Sequence, residues 1–174
     1  MMKPPSCRQW LDGAMIETFK GESGNRDGMN GMVCIRHFTE NDIDAIRANQ
    51  YPVAAKEEIL NMLHGGNAGS FHGKSLEMFA VLFEDTVVGS VSLFQRSQNI
   101  ASLGLEIYQA YRQRGFASQT MRLAMDHAKK LGYKIIQNQA RADNIASICL
   151  RERLSFESDY YIYKNKKDQP AICS

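Results

Sequence analysis

Apolar and polar positions change rhythm along the chain, and each change marks an element. "MVCIRHF" (32–38) sets Val33, Ile35 and His37 against Cys34, Arg36 and Phe38, the alternation of a strand. Thr39 with Asp42 three residues on is a relative of the capping box, with Asp in place of Glu. Ile43 and Ile46 then give one face of a helix that Pro52 ends. "KEEILNMLH" (56–64) predicts a second short helix, stopped by Gly65 and Gly66. "EMFAVLFE" and "VVGSVSLFQ", joined by the polar Glu84-Asp85-Thr86, predict an antiparallel hairpin. "ASLGLEIY" (101–108) is a further strand, with Leu103, Leu105 and Ile107 on one face and Gly104, Glu106 and Tyr108 on the other.

The rhythm then turns helical. Ala117, Met121, Ala124, Met125 and Ala128 form an apolar stripe. Lys129 and Lys130 suit the dipole of a last turn, and Gly132 supplies the stop. "YKIIQNQAR" (133–141) predicts another strand, "NIASICLRERL" (144–154) a helix with Asn144 as its N-cap, and "DYYIYKNK" (159–166) a final long strand. The order is strand, two helices, three strands, helix, strand, helix, strand, an α/β fold in a single domain over residues 32–174, without internal repeat or low-complexity block.

Residues 1–31 differ from the rest. They hold two prolines and five glycines, and "GESGNRDGMNG" (21–31) reads as a linker. Trp10, Leu11, Ala14, Met15 and Phe19 lie at helical spacing, which predicts a short amphipathic helix. The expectation is a flexible N-terminal extension, or an upstream start with the domain beginning near Met32. The alternative is a docking helix for a second copy of the chain, which would make a homodimer.

Composition narrows the function classes. The 174 residues suffice for one domain with a real core and are few for two. Apolar residues make up 44% and charged residues 23%, ordinary for a globular protein. A net charge of +2 argues for neither nucleic acid nor a membrane surface as partner. No apolar run nears the roughly 18 residues that span a bilayer, and no secretory signal is visible. Cys7, Cys34, Cys149 and Cys173 lie far apart without a C-x-x-C pair. Reduced thiols in a cytoplasmic setting fit this better than disulfides or zinc. His37, His64, His72 and His127 show no metal spacing either, so no metal is expected.

"YRQRGFASQTM" (111–121) is the first stretch with evident chemistry. A strand running through a tight turn into a helix leaves backbone N–H groups pointing outward, and the helix dipole adds positive charge there. Gly115 lets a ligand approach the backbone, Ala117 is small, and Arg112 and Arg114 add charged donors. The corner therefore suits a pyrophosphate. The chain has no G-x-x-x-x-G-K-[ST], which excludes a P-loop, and one glycine does not make a dinucleotide G-x-G-x-x-G. A plain corner with solvated arginines is the alternative.

A second motif decides between them. "DNIASICLRERLSF" (143–156) places Asn144, Ser147, Leu150, Leu154 and Phe156 in the pattern N-x-x-S-x-x-L-x-x-x-L-x-F. With Arg112-Gln-Arg-Gly115-Phe-Ala117 matching [QR]-x-x-G-x-[GA], the chain from Met32 to about Lys167 resembles the GNAT superfamily of acyl-CoA-dependent N-acetyltransferases. The resemblance implies a mixed, mostly antiparallel sheet flanked by helices, with middle strands that splay apart to admit coenzyme A. Ile107 and Tyr108 would then offer backbone groups to pantetheine. Gln113, Arg114, Gly115, Phe116, Ala117 and Ser118, beside Arg112, would cradle the pyrophosphate, and Asn144 and Ser147 would face the coenzyme. The co-substrate would be acetyl-CoA and the acceptor a primary amine of a small molecule or peptide.

The chain departs from the family pattern at two positions. Arg151 stands where the family has a tyrosine that protonates the leaving thiolate. Arginine keeps its protons and cannot replace that acid, though it could bind a coenzyme phosphate. Ser155 replaces a glycine, as a turn variant. With only "DQPAICS" after Lys167, the closing hairpin is expected to be frayed. An alkyl ammonium with a pKa near ~10.4 must lose a proton before attack. Glu106, on the polar face of its strand, is the candidate base. Tyr161 is the candidate acid, with Tyr108, Tyr160 and Tyr163 as alternatives. The acceptor should be chosen by the two early helices and a mobile "HGGNAGSFHGK" loop (64–74), where His72 or Lys74 could meet an anionic group. An acyl-CoA-binding sensor without turnover, favoured by Arg151, is the rival function.

Overall fold

The computed structural model describes residues 19–20, 32–67, 69–158, 162–165 and 167–173. Its strands are β1 (Phe19–Lys20), β2 (Val33–His37), β3 (Ser70–Phe71), β4 (Lys74–Phe83), β5 (Thr86–Gln95), β6 (Ile100–Ile107), β7 (Ile135–Ile136), β8 (Gln139–Arg141), β9 (Ile162–Lys164) and β10 (Pro170–Cys173). Its helices are α1 (Ile43–Asn49), α2 (Lys56–Asn67), α3 (Phe116–Lys130) and α4 (Ile145–Arg153). One sheet runs β1-β2-β4-β5-β6-β7 with β3 added to β4, and a second runs β8-β10-β9. Among the described residues only the β6–β7 pairing is parallel.

Strand alternation assigns each sheet face its own core. Val33, Ile35, Phe79, Val81, Val91, Leu93, Leu103 and Ile107 face α3 and pack with Phe116, Met121, Leu123, Ala124 and Ala128. Leu150, Leu154 and Phe156 of the α4 region join that core. On the opposite face Ala80 packs with Phe38, Ile43, Ile46, Ile59 and Leu63 under α1 and α2. Two layers of helix thus sandwich the sheet, and each amphipathic stripe has somewhere to bury.

The structure corrects four local expectations. Phe19, counted on a leader helix, lies on β1 and pairs with Ile35 of β2; the rest of residues 1–31 lies outside the described residues. Helix α2 passes through Gly65 and Gly66 instead of stopping there. Gly66 is buried against Met78, whose Sδ would sit 2.9 Å from an added Cβ, so packing overrides propensity. The glycine-rich loop beyond it is a tight hairpin, Phe71 pairing with Lys74 across His72 and Gly73. Both turn residues have positive φ, 49° and 74°, as a type I′ turn requires. Finally, the C-terminus is not frayed: β10 inserts between β8 and β9 and pairs with both.

Candidate functional site

"YKIIQNQAR" forms two strands rather than one, and the break creates the site. Ile135 and Ile136 pair with Ile100 and Ala101 of β6. The Gln137 N–H then donates to the Ala101 carbonyl at 2.8 Å, and Asn138 Oδ1 accepts from the Leu103 N–H at 2.7 Å. Beyond Asn138 the chain leaves β6 and enters the second sheet as β8. A buried asparagine side chain has replaced a backbone ladder, and the two sheets part there.

From Gly104 to Ile107, β6 is therefore paired to β5 alone among the described residues. Backbone groups alternate in direction along a strand. Those of Ala101 and Leu103 point away from β5, as the bonds to Gln137 and Asn138 show, and those of Leu105 and Ile107 follow by parity. The Ile107 carbonyl on that side accepts from Arg112 Nε at 2.9 Å. The Tyr108 N–H turns the other way, to the Val88 carbonyl of β5 at 2.9 Å. So of the two residues expected to offer backbone groups to pantetheine, Ile107 faces the gap and the Tyr108 N–H does not. Leu105 faces it too, and the two-residue period of the strand could have found it.

The corner follows directly. After a short 3-10 turn over Gln109–Tyr111, Gln113 and Gly115 both take positive φ, 62° and 78°. Gly115 is the N-cap of α3. The first helical bond runs from the Gln119 N–H to the Gly115 carbonyl, which leaves the N–H groups of Phe116, Ala117 and Ser118 ahead of it. An added Cβ at Gly115 would meet nothing closer than Gln119 Nε2 at 3.9 Å, so its own backbone conformation sets the need for glycine. Arg112, Gln113 and Arg114 are exposed, with the Arg114 guanidinium 5.8 Å from the Tyr111 ring centre. Phe116 is instead buried against Phe83. The first turn of α3 holds no acidic residue, so unpaired N–H groups, the helix dipole and two arginines leave this corner positively charged.

On α4, Asn144 Oδ1 accepts from the Ser147 N–H at 3.2 Å, the bond of a plain N-cap. Arg151 is half-buried. Its Nη1 donates to Ser147 Oγ and to the Ser147 carbonyl, and its Nη2 to the Gln139 carbonyl at 3.2 Å. Burial lowers its pKa from the ordinary value, against a smaller opposing effect of Cys173. The residue in the tyrosine's place therefore ties α4 to β8 just past the split. Ser155 takes φ 61°, the conformation glycine would adopt, which agrees with a turn variant. Tyr160 and Tyr161 lie outside the described residues.

Glu106 lies on the other face of β6, toward α1. Its Oε2 accepts from Gln50 Nε2 at 2.8 Å, and the same nitrogen donates to Ser90 Oγ at 3.0 Å. Neither Gln50 nor Ser90 carries a motif, and the contact spans 56 positions of sequence, so no local pattern reveals it. Tyr108 is buried beside this group, and its hydroxyl has no hydrogen-bond partner. Burial first, then the charges of Glu106 and Asp42 and the neighbouring Tyr51, push its pKa up to about 12. A thiol titrates near ~8.5. A tyrosine held that high is a hydrogen-bond donor and a poor acid toward a thiolate.

The acceptor-side expectations fare differently. Lys74 Nζ is engaged by the Arg96 carbonyl at 3.2 Å, while His72 is exposed at its turn. Among the described residues His, Cys, Asp and Glu form no group of three that could hold a metal ion. No helix among them is long and apolar enough to cross a membrane.

Comparison with known proteins agrees with this geometry. A family model described as an acetyltransferase (GNAT) domain matches residues 32–157. A structure of RimL, the ribosomal L7/L12 alpha-N-protein acetyltransferase, is similar at TM-score 0.70 and 16% identity, over 95% of this chain and 97% of that one. Mycobacterium smegmatis RimJ in complex with CoA-disulfide gives TM-score 0.69 at 17% identity, over 83% and 82% of the two chains. A spermidine N-acetyltransferase chimera of Vibrio cholerae SpeG and hSSAT gives 0.65 at 18%, over 80% and 92%. At such identities these likenesses establish the fold. No curated protein matches the chain.

Proposed function

Because the chain belongs to the GNAT acetyltransferase family, with acetyl-CoA as its co-substrate, we propose that it acetylates a primary amine of a small molecule or peptide by direct transfer at the opening between β6 and β8. The observation that carries this reading is the break at Asn138. It leaves the gap-side backbone groups of Leu105 and Ile107 beside a corner built for phosphate. Pantetheine would pair with those groups, and the N–H groups from Gln113 to Ser118, with Arg112 and Arg114, would hold the pyrophosphate. The relatives' acceptors, a protein α-amine and spermidine, support an amine as the nucleophile. Cys149 and Cys173 are in no disulfide, which supports a cytoplasmic setting.

In this scheme Glu106 takes the proton from the acceptor ammonium, the freed amine attacks the thioester carbonyl, and the C–S bond breaks as the amide forms. Tyr161 returns a proton to the thiolate. The tetrahedral oxyanion needs fixed donors, and the N–H groups of β6 that face the gap are the nearest such set.

Replacement of Gly115 by valine tests the coenzyme site. A β-branched residue is strained at φ 78°, and its side chain projects into the cradle. Calorimetry should show affinity for coenzyme A reduced by roughly two orders of magnitude or more, with the fold intact by circular dichroism. Parental affinity in Gly115→Val would move the pyrophosphate elsewhere.

A further inference from the structure

Four residues stand side by side across the sheet on the face covered by α1. The registers place Arg36 of β2 opposite Ala80 of β4, Ala80 opposite Ser90 of β5, and Ser90 opposite Glu106 of β6. Helix α1 is pinned at both ends of this row. At its start Asp42 takes Arg36 in a bidentate pair, at 2.6 and 2.8 Å. At its end Gln50, the C-cap, donates to Ser90 and Glu106. The dimensions agree: eight residues at ~1.5 Å rise span about 12 Å, and three strand spacings of ~4.8 Å span about 14 Å. Ile43 and Ile46, both buried, hold the middle of the helix to its core.

We propose that Gln50 is a positioning residue for Glu106, fixing one carboxylate oxygen so that the other is free to take the acceptor's proton. This rests on Glu106 being the base. The physical basis is simple. An amide N–H donated to a carboxylate oxygen fixes that oxygen in place, and here the donor comes from a helix end locked on both sides, so the carboxylate does not have to be ordered at the moment of reaction. Ser90 shares the same nitrogen and fixes the amide's orientation. The exposed segment Tyr51-Pro52-Val53 follows Gln50 directly, so whatever acceptor settles there meets the same helix end that sets the base.

The test is a double-mutant cycle on kcat near pH 7, in the full-length enzyme at saturating acetyl-CoA. Gln50→Leu removes the donor and should lower kcat about five- to tenfold. Gln50→Glu keeps the shape but sets a second carboxylate against Glu106, and should lower kcat at least as far. The KM for acetyl-CoA should stay close to parental in both. Placed in Glu106→Gln, where no base is left to position, Gln50→Leu should cost nothing further. If both Gln50 variants keep the parental kcat, or Gln50→Leu loses the same factor with Glu106→Gln as without it, the positioning role is overturned and the base assignment stands. If Glu106→Gln itself leaves the rate unchanged, the base assignment falls. Should Gln50→Leu not fold, Gln50→Glu decides alone.

Discussion

Asp42 gathers a cluster of bonds at the start of α1. It accepts from both Arg36 nitrogens, from the Thr39 N–H and from Thr39 Oγ1. Burial by itself would raise its pKa. The hydrogen bonds from Arg36 and Thr39 and the Arg36 charge outweigh burial and hold it below the ordinary 3.8. A carboxyl depressed in the folded state contributes stability that is present above its ordinary value and lost as pH falls through the folded one. Asp42→Asn should therefore cost roughly 2–3 kcal/mol at pH 7, because it strands a partly buried guanidinium. Urea unfolding across pH should show that deficit narrowing below about pH 4. A deficit independent of pH would mean that the pair contributes shape alone. Thr39 and Asp42 were legible in sequence as a helix start. Arg36, near the end of β2 and 6 positions before Asp42, was not, since it carries no capping signature of its own.

At the scale of elements, the β5–β6 hairpin sets the spacing of the site. Gly89 faces Ile107, and a Cβ at Gly89 would lie 2.2 Å from the Glu106 carbonyl and 3.0 Å from Ile107 Cα. Both neighbours are backbone and cannot step aside as a flexible side chain would. Gly89→Ala should force the strands apart at Glu106 and Ile107, costing about 2–3 kcal/mol. A thermal melt should show the loss directly, and an unchanged melting temperature would mean the strands have slack at this point. The preceding hairpin, β4–β5, was legible, because both arms alternate and the Glu84-Asp85-Thr86 turn between them is polar, and β6 was legible as a further strand. The split of residues 133–141 was not. Ile135 and Ile136 read as strand, and so do Gln139 to Arg141. Only the buried bond from Leu103 to Asn138 tells them apart, and that bond spans 35 positions.

The molecule as a whole is more regular than its sequence suggests. Corner and α4 were readable because their chemistry is local: a glycine with positive φ, unpaired N–H groups, an asparagine cap. The second sheet was not readable, since β10 is the last element of the chain yet lies between β8 and β9. A strand inserted from the far end of the sequence leaves no mark within its own few residues. The same limit hid Gln50. Its side-chain partners among the described residues, Ser90 and Glu106, meet it through the packing of α1 across three strands. What joins these parts is a division of labour between the two faces of β6. In the proposed mechanism its gap-side backbone meets the coenzyme and Glu106, toward α1, meets the acceptor.

That division is tested most directly by thiol release from acetyl-CoA with an active amine, measured from pH 6 to 9 for the parent and for Glu106→Gln. The substitution keeps the shape of the side chain and removes its basicity. Near pH 7 turnover should fall by about 10²-fold or more, the usual scale of general-base catalysis. Part of the loss should return as pH rises, because more of the amine arrives without its extra proton. Affinity for coenzyme A should hardly change. Equal rates across the whole range would contradict the account and leave the proton to another carboxylate or to solvent.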